Sequence, residues 1–209
     1  MKRIEFFFDV ISPFAYLAFE RLPQALEACS YVVEYRPVLF AGLLQHWGQK
    51  GPAEMESKRT WTFRHVHWIA AQQGTPMQTP AQHPFNPLTL LRLAVACGPN
   101  RRVVEQLFHH VWQGAGADAN DPARLAELTQ HLAPARDPAS EEVKRELREA
   151  TAAAIKLGLF GVPSYLCEGR LFWGLDALPM LRAAVLDDPW FAGPAWEAEG
   201  QPRQGVRRG

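Results

Sequence analysis

The alternation of apolar and polar residues predicts two strands around a helix at the start of the chain. Residues 4–8 form a short, nearly continuous apolar run, which is typical of a strand covered on both faces. Ser12 and Pro13 then supply residue types favoured at the N-cap and the first position of a helix. A second apolar-rich segment, residues 31–39, predicts another strand that ends near Pro37. This strand–helix–strand order predicts two parallel strands joined by a right-handed crossover.

The region from residue 41 to residue 139 shows helical periodicity and no convincing strand. Glycine and proline divide it into predicted helices, at about residues 53–73, 87–97, 101–112 and from 121 onward. We therefore expect an inserted, all-helical domain.

The last part of the chain mixes helices and strands again. Ser140, followed by two glutamates, predicts a helix that ends at Leu157. Segments 164–167 and 170–173 flank a two-residue turn and predict a hairpin, and a final helix is expected over 177–186. These patterns divide the chain into an α/β domain of residues 1–40 and 140–188, a helical domain of residues 41–139, and a flexible C-terminal tail of residues 189–209, where glycine, proline and charged residues predominate.

The charge balance favours a small molecule as the partner. Lys and Arg number 22, as do Asp and Glu, and 47 % of the residues are hydrophobic, enough for a sizeable core. Proteins that bind nucleic acid or an anionic membrane surface usually carry a basic patch. We therefore expect neither nucleic acid nor a membrane as a partner.

The cysteines and the N-terminus indicate a cytoplasmic protein. Glu5 and Asp9 interrupt the first apolar run, so it does not resemble a signal sequence, and no run approaches the about 20 apolar residues of a membrane helix. Cys29, Cys97 and Cys167 lie far apart without a C-x-x-C pair, and we expect reduced thiols. The histidine spacing does not suit a shared metal, so no metal is expected.

Ser12 is the first residue that could carry chemistry. Unpaired backbone N–H groups and the positive end of the helix dipole converge at a helix start, where they stabilise an anion such as a thiolate. The serine hydroxyl can donate a hydrogen bond to a sulfur that a ligand brings. No base lies beside Ser12 and no G-x-S-x-G motif surrounds it, so it is a poor candidate for a nucleophile. Taken alone, Ser12 also fits a plain N-cap.

Two later segments could bind a peptide-like ligand. If the Val162–Pro163 bond before the hairpin is cis, the Val162 N–H and C=O groups become free to pair with an extended peptide, whereas an ordinary trans turn leaves no such edge. Gly174 and Asp176 offer free N–H groups and a carboxylate to a zwitterionic ligand end. Asp176 alone also fits the N-cap of the last helix.

Taken together and in this order, these segments resemble one family. The stretch F-D-V-I-S-P-F-A-Y at residues 8–16, Gly-Val-Pro at 161–163 and F-W-G-L-D at 172–176 resemble 2-hydroxychromene-2-carboxylate isomerases and kappa-class glutathione transferases. The resemblance covers roughly residues 3 to 187. It implies an α/β, thioredoxin-like fold with an inserted all-helical domain, as in the disulfide oxidoreductase DsbA. Ser12 stands where the redox cysteine pair of DsbA begins, and Ala15 follows, so dithiol chemistry is not expected.

The resemblance implies glutathione as the cofactor and assigns residues to it. Ser12 would be the catalytic residue, donating a hydrogen bond to the glutathione sulfur and lowering its pKa. Val162 and Pro163 would pair with the tripeptide backbone, while Leu175 and Asp176 would hold the γ-glutamyl end.

Other family positions are less well matched. The family shows Asn nine positions before a Lys, both at glutathione; the matching pair is Gln49 and Lys58, in which Gln replaces the family's Asn. Ala177 also replaces a common Arg. Phe14 and Asn86 are expected in the acceptor pocket, and tryptophans of the insert are candidates for its aromatic wall, namely Trp47, Trp61 or Trp68.

The implied activity is a glutathione-dependent isomerisation. Reversible addition of the thiolate to a conjugated double bond of an aromatic keto acid would permit rotation before elimination. Two alternatives stay open: a kappa-class transferase or peroxidase, and a non-catalytic thioredoxin-like module that holds a peptide or a thiol. The resemblance also implies a homodimer.

Overall fold

A four-stranded sheet forms the centre of the α/β domain. The computed structural model describes residues 1–200. The strand order is β2-β1-β3-β4, with β1 and β2 parallel and the other two pairs antiparallel, so the predicted parallel pair and the predicted hairpin are both confirmed. The strands are β1 (Lys2–Phe8), β2 (Tyr31–Pro37), β3 (Ser164–Cys167) and β4 (Arg170–Trp173).

Helices account for most of the remaining described chain. The predicted helices are all present, whereas α2, directly after β2, and two short helices at the C-terminus were not predicted. None of the helices within residues 1–200 combines the length and the apolar character needed to cross a membrane. The helices are α1 (Pro13–Ala25), α2 (Phe40–His46), α3 (Glu56–Gln73), α4 (Leu88–Cys97), α5 (Arg101–Trp112), α6 (Pro122–Leu132), α7 (Glu141–Lys156), α8 (Leu178–Val185), α9 (Pro189–Ala192) and α10 (Pro194–Glu199).

One aromatic core joins the sheet to the helical insert. Phe8 of β1 and Phe108 of α5 are fully buried, with ring centroids 5.6 Å apart. Tyr16 of α1 stacks on Trp112, and the Trp112 indole N–H donates to the Val10 carbonyl at 2.9 Å. Aromatic pairs of this kind add to the free energy of area burial and fix relative orientation. The insert is therefore anchored directly at the loop between β1 and α1.

The turn between β3 and β4 has the geometry that its sequence predicts. Glu168 and Gly169 have φ values of 50° and 77°. Two consecutive residues at positive φ match the twist of antiparallel strands, and glycine reaches that region without steric cost.

The C-terminal segment differs from the flexible tail that composition predicts. Residues 189–199 form α9 and α10, and Phe191 is only 7 % exposed. Phe191 and Trp196 both contact Phe172 of β4, with ring centroids 5.9 and 5.8 Å away. The reason for the difference is that these aromatic residues cover one face of the hairpin, which composition alone does not reveal. Residues 201–209 of the predicted tail lie outside the described residues.

Candidate active site

A cavity of about 680 Å³ lies where the α/β domain meets the insert. Its walls come from the loop after β1, the start of α1, the α2–α3 region, the loop before α4 and the segment before β3. Among its lining residues are the predicted Ser12, Phe14, Gln49, Lys58 and Val162. The structure therefore brings together residues that are up to 150 positions apart along the chain.

Ser12 caps α1 and also faces the segment before β3. Its Oγ accepts a hydrogen bond from the Ala15 N–H at 3.2 Å, and Pro13 occupies the first turn. The same hydroxyl donates to the Val162 carbonyl oxygen at 3.4 Å, and Ser12 is only 7 % exposed. A bond of 3.4 Å is long for an O–H donor. The hydroxyl hydrogen is thus weakly committed and available to a stronger acceptor such as a thiolate.

The Val162–Pro163 peptide bond is cis and not trans. Val162 lines the cavity, whereas Pro163 is buried behind it, where its carbonyl accepts from the Gly174 N–H at 3.0 Å. Gly161 lies directly beneath the indole of Trp173, so that a Cβ atom at this position would be 2.7 Å from Trp173 Nε1. The absence of a side chain at Gly161 allows Trp173 to cover this end of the cavity.

Asp9 is a fully buried carboxyl group in the cavity wall. Its two oxygens accept from the Ile11 N–H at 3.1 Å and the Phe40 N–H at 2.9 Å. Desolvation by burial raises the pKa of Asp9 to about 7, although both hydrogen bonds oppose that rise. At about pH 7 roughly half of the Asp9 carboxyl groups are therefore protonated, and a larger fraction is protonated at lower pH.

His83 also lines the cavity. Its bond to Pro84 is cis, and its Nε2 donates to the Ile11 carbonyl oxygen at 2.8 Å, since a carbonyl can only accept. The other nitrogen, Nδ1, is buried without a protein partner. Burial lowers the pKa of His83, and the charge of Arg59 lowers it further, so the ring is neutral at physiological pH.

The loop before α3 and the first turns of α3 add positive charge to the cavity. Lys50 and Arg59 line the cavity together with Lys58. None of these three cations forms an ion pair with a carboxylate of residues 1–200. The lining residue Glu54 instead accepts from the Gly51 N–H at 2.6 Å, which closes the loop. The arrangement suits an anionic ligand.

Several predicted residues lie away from the cavity lining. Asn86 is exposed, and its Oδ1 accepts from the Leu88 N–H at 3.1 Å, ahead of α4. Leu175 packs against the core, and Asp176 is exposed. Asp176 lies in a short 3-10 turn before α8 and makes no capping bond, so its expected role as a helix cap is wrong. Its carboxylate is therefore exposed and has no hydrogen-bond or ion-pair partner among residues 1–200.

The expected tryptophan wall is replaced by other aromatic residues. Trp61 and Trp68 are 65 % and 61 % exposed, and neither they nor Trp47 line the cavity. The Trp47 indole instead donates to the Leu159 carbonyl at 2.8 Å. The aromatic side chains that do line the cavity are Phe14, Phe40, Phe63, His83, Phe85, Phe160 and Trp173.

Sequence reasoning missed Asp9, His83 and Arg59 as members of this site. Asp9 belongs to the F-D-x-x-S-P stretch, and an acidic residue directly after a buried strand is a usable signal. Arg59 adjoins the predicted Lys58. His83 lies in a proline-rich loop, and no local pattern places that loop beside Ile11.

The chain is similar to known proteins over most of its length. Residues 3–186 match the family described as the DSBA-like thioredoxin domain. The chain is 30 % identical to 2-hydroxychromene-2-carboxylate isomerase of Sphingobium xenophagum over 89 % of this chain and 99 % of that protein. It is 27 % identical to glutathione S-transferase kappa 1 of Rattus norvegicus over 90 % and 92 %. A solved structure of 2-hydroxychromene-2-carboxylate isomerase superimposes with a TM-score of 0.78 at 23 % identity, covering 96 % of this chain and all of that one, which shows the shared fold.

Proposed function

The chain belongs to the family of DSBA-like thioredoxin domains, and from this premise we propose that it is a glutathione-dependent isomerase of an aromatic α,β-unsaturated keto acid. The named relatives are enzymes of the isomerase and kappa transferase groups. The observation that carries the proposal is the Ser12 hydroxyl, which lies at a helix start inside a cationic, aromatic cavity. Cysteine does not occur at position 12 or 15, so the chain lacks the dithiol of a disulfide oxidoreductase there.

The residues around Ser12 suit a glutathione molecule. The weak bond between Ser12 Oγ and the Val162 carbonyl would be exchanged for a bond to the glutathione sulfur. Val162 would then pair with the tripeptide backbone beside Pro163, and Lys58 and Gln49 would contact a glutathione carboxylate and amide. Leu175 and the uncommitted Asp176 carboxylate would hold the γ-glutamyl end.

Each group contributes to a different part of the reaction. Bound glutathione supplies a thiolate that adds reversibly to the conjugated double bond of the acceptor, which permits rotation before elimination. Ser12 and the start of α1 stabilise that thiolate near neutral pH by a hydrogen bond and by the helix dipole. The buried Asp9 is mainly protonated below about pH 7, so in that range it adds less negative charge to the cavity than an ordinary carboxylate would. The cavity cations stabilise negative charge on the acceptor.

A kappa-type transferase is the second candidate, because the similarity to the rat kappa protein covers nearly the same length as the similarity to the isomerase. Both activities require the same glutathione site and differ in the fate of the thiol. We also propose a homodimer and a cytoplasmic location, which supplies the reduced glutathione that the site requires.

Nuclear magnetic resonance of one aromatic enone acid with substoichiometric glutathione separates the candidates. The isomerase proposal predicts complete interconversion of the geometric isomers while glutathione is conserved. A transferase would consume glutathione in proportion to a thioether product. Interconversion at the same rate without glutathione would overturn both.

A further inference from the structure

Two adjacent faces of α3 contribute residues to the cavity lining. Arg59 and Phe63 are one helical turn apart and share one face, and Lys58 and Thr62 share the adjacent one. The two faces are separated by about 100° around the helix axis. All four residues line the cavity. Lys58 and Arg59 therefore leave α3 in different directions although they are adjacent in the sequence.

Arg59 faces an aromatic lobe, which we define by Phe14, Phe63, His83 and Phe85. The Phe63 and His83 rings are 5.0 Å apart, and those of His83 and Phe85 are 6.2 Å apart. Phe63 belongs to this lobe and shares a face of α3 with Arg59, so the Arg59 side chain leaves the helix on the side that carries the lobe. Because His83 is neutral and already bonded to Ile11, the lobe is an apolar, flat-sided space beside one cation.

No carboxylate of residues 1–200 forms an ion pair with the Arg59 guanidinium. The carboxyl groups that line the same cavity belong to Asp9 and Glu54, which accept backbone N–H groups, and neither forms an ion pair with Arg59. Elsewhere Arg36 and Arg136 do have glutamate partners. A guanidinium left unpaired beside an aromatic wall is suited to bidentate binding of a ligand carboxylate.

We propose that Arg59 binds the carboxylate of the acceptor while the aromatic lobe holds its ring, so that Arg59 selects anionic aromatic acceptors over neutral ones. This inference rests on the proposed use of glutathione at Ser12, which leaves Lys58 to the glutathione molecule. Arg59 is then the residue that distinguishes an aromatic keto acid from a neutral aromatic enone of the same shape.

Equilibrium binding of an unreactive ligand pair tests the proposal without any turnover. Benzylpyruvate has a saturated chain and therefore offers no conjugated double bond for thiol addition, and its primary amide is a neutral analogue of nearly the same shape. The wild type is expected to bind the acid about ten- to hundredfold more tightly than the amide, the range for a hydrogen bond to a charged group. Arg59→Met should lose most of the preference, because only Lys50 and Lys58 then supply positive charge to the cavity, and Arg59→Lys should keep more of it than Arg59→Met.

The control is Arg64→Met, because Arg64 is exposed on the same helix and does not line the cavity. It should leave the preference for the acid unchanged. An acid preference of the same size in Arg59→Met and the wild type, or none in the wild type, would overturn the proposal. Glutathione binding, measured separately on the same proteins, should be equal in wild type and Arg59→Met. Its absence from both would refute the proposed function and leave the ligand-pair result standing on its own.

Discussion

The Ser12 hydroxyl makes two hydrogen bonds, and they differ in what they support. As acceptor from the Ala15 N–H, it satisfies one of the free donors at the start of α1. As donor to the Val162 carbonyl at 3.4 Å, it points across the cavity. The first bond contributes to stability, and the second can be exchanged for a bond to a ligand. When a substitution removes both bonds, its effect on the ligand must be distinguished from the effect of losing a helix cap.

Replacement of Ser12 by Ala should raise the pKa of bound glutathione. Loss of a hydrogen bond to a charged sulfur corresponds to about one to two pKa units. The thiolate absorbance of the complex, followed against pH, measures this directly. Ser140→Ala is the matched control, because Ser140 caps α7 in the same way, accepting from the Val143 N–H at 3.3 Å. Both variants should lose about 1 kcal/mol of stability. Equal thiol pKa values in the two variants would mean that Ser12 is only a cap.

The stability of the protein should depend on pH through Asp9. Its pKa is about 7 in the folded state against an ordinary value of 3.8, so between these values the folded protein holds a proton that the unfolded chain releases. The free energy of unfolding therefore falls as pH rises through this window, by at most about 1.4 kcal/mol per pH unit. The stabilising contribution of the Asp9 proton is fully present below pH 3.8 and is lost above about pH 7.

Denaturant titrations of wild type and Asp9→Asn between pH 3.8 and about pH 7 test whether Asp9 makes stability depend on pH. The variant lacks the titrating group, so its unfolding free energy should decline less steeply with pH. Identical slopes in both proteins would show that Asp9 does not titrate in this range.

At the scale of elements, α9 and α10 are expected to contribute to stability. Phe191 is 7 % exposed and contacts Phe172, whereas its neighbour Trp190 is 43 % exposed. Phe191→Ala should lower the free energy of unfolding by about 3 kcal/mol, as for other buried aromatic residues. Trp190→Ala is the control and should cost much less. Thermal unfolding with equal losses in both variants would favour the flexible tail that composition predicts.

Elements whose signals are local were predictable from the sequence, and those held by distant residues were not. The strands and α1 follow from apolar runs and the Ser12–Pro13 start. Helix α2 has no side-chain cap of its own. Its first N–H groups are satisfied by Thr151, which accepts from Leu39, and by Asp9, which accepts from Phe40. Such partners lie outside any local window, so the helix could not be predicted from its own residues.

At the scale of the whole molecule, the cavity exists only because the insert returns to the sheet. Ser12 and Val162 come from the α/β domain, while Lys58, Arg59 and His83 come from the insert. The motifs at residues 8–16 and 161–163 predicted the first part of the site. In the second part, the spacing of Gln49 and Lys58 predicted Lys58, whereas Arg59 and His83 depend on how α3 and the loop before α4 pack, which no local pattern encodes. A ligand that contacts both parts should stabilise the whole fold by mass action.

Titration calorimetry of the wild-type protein with reduced glutathione tests the central claim most directly. We expect one glutathione per chain, with a dissociation constant in the micromolar to millimolar range that is usual for substrates. S-methylglutathione, which keeps the peptide but cannot form a thiolate, should bind more weakly above the thiol pKa. No detectable heat at millimolar glutathione, with a protein shown by circular dichroism to be folded, would contradict the account.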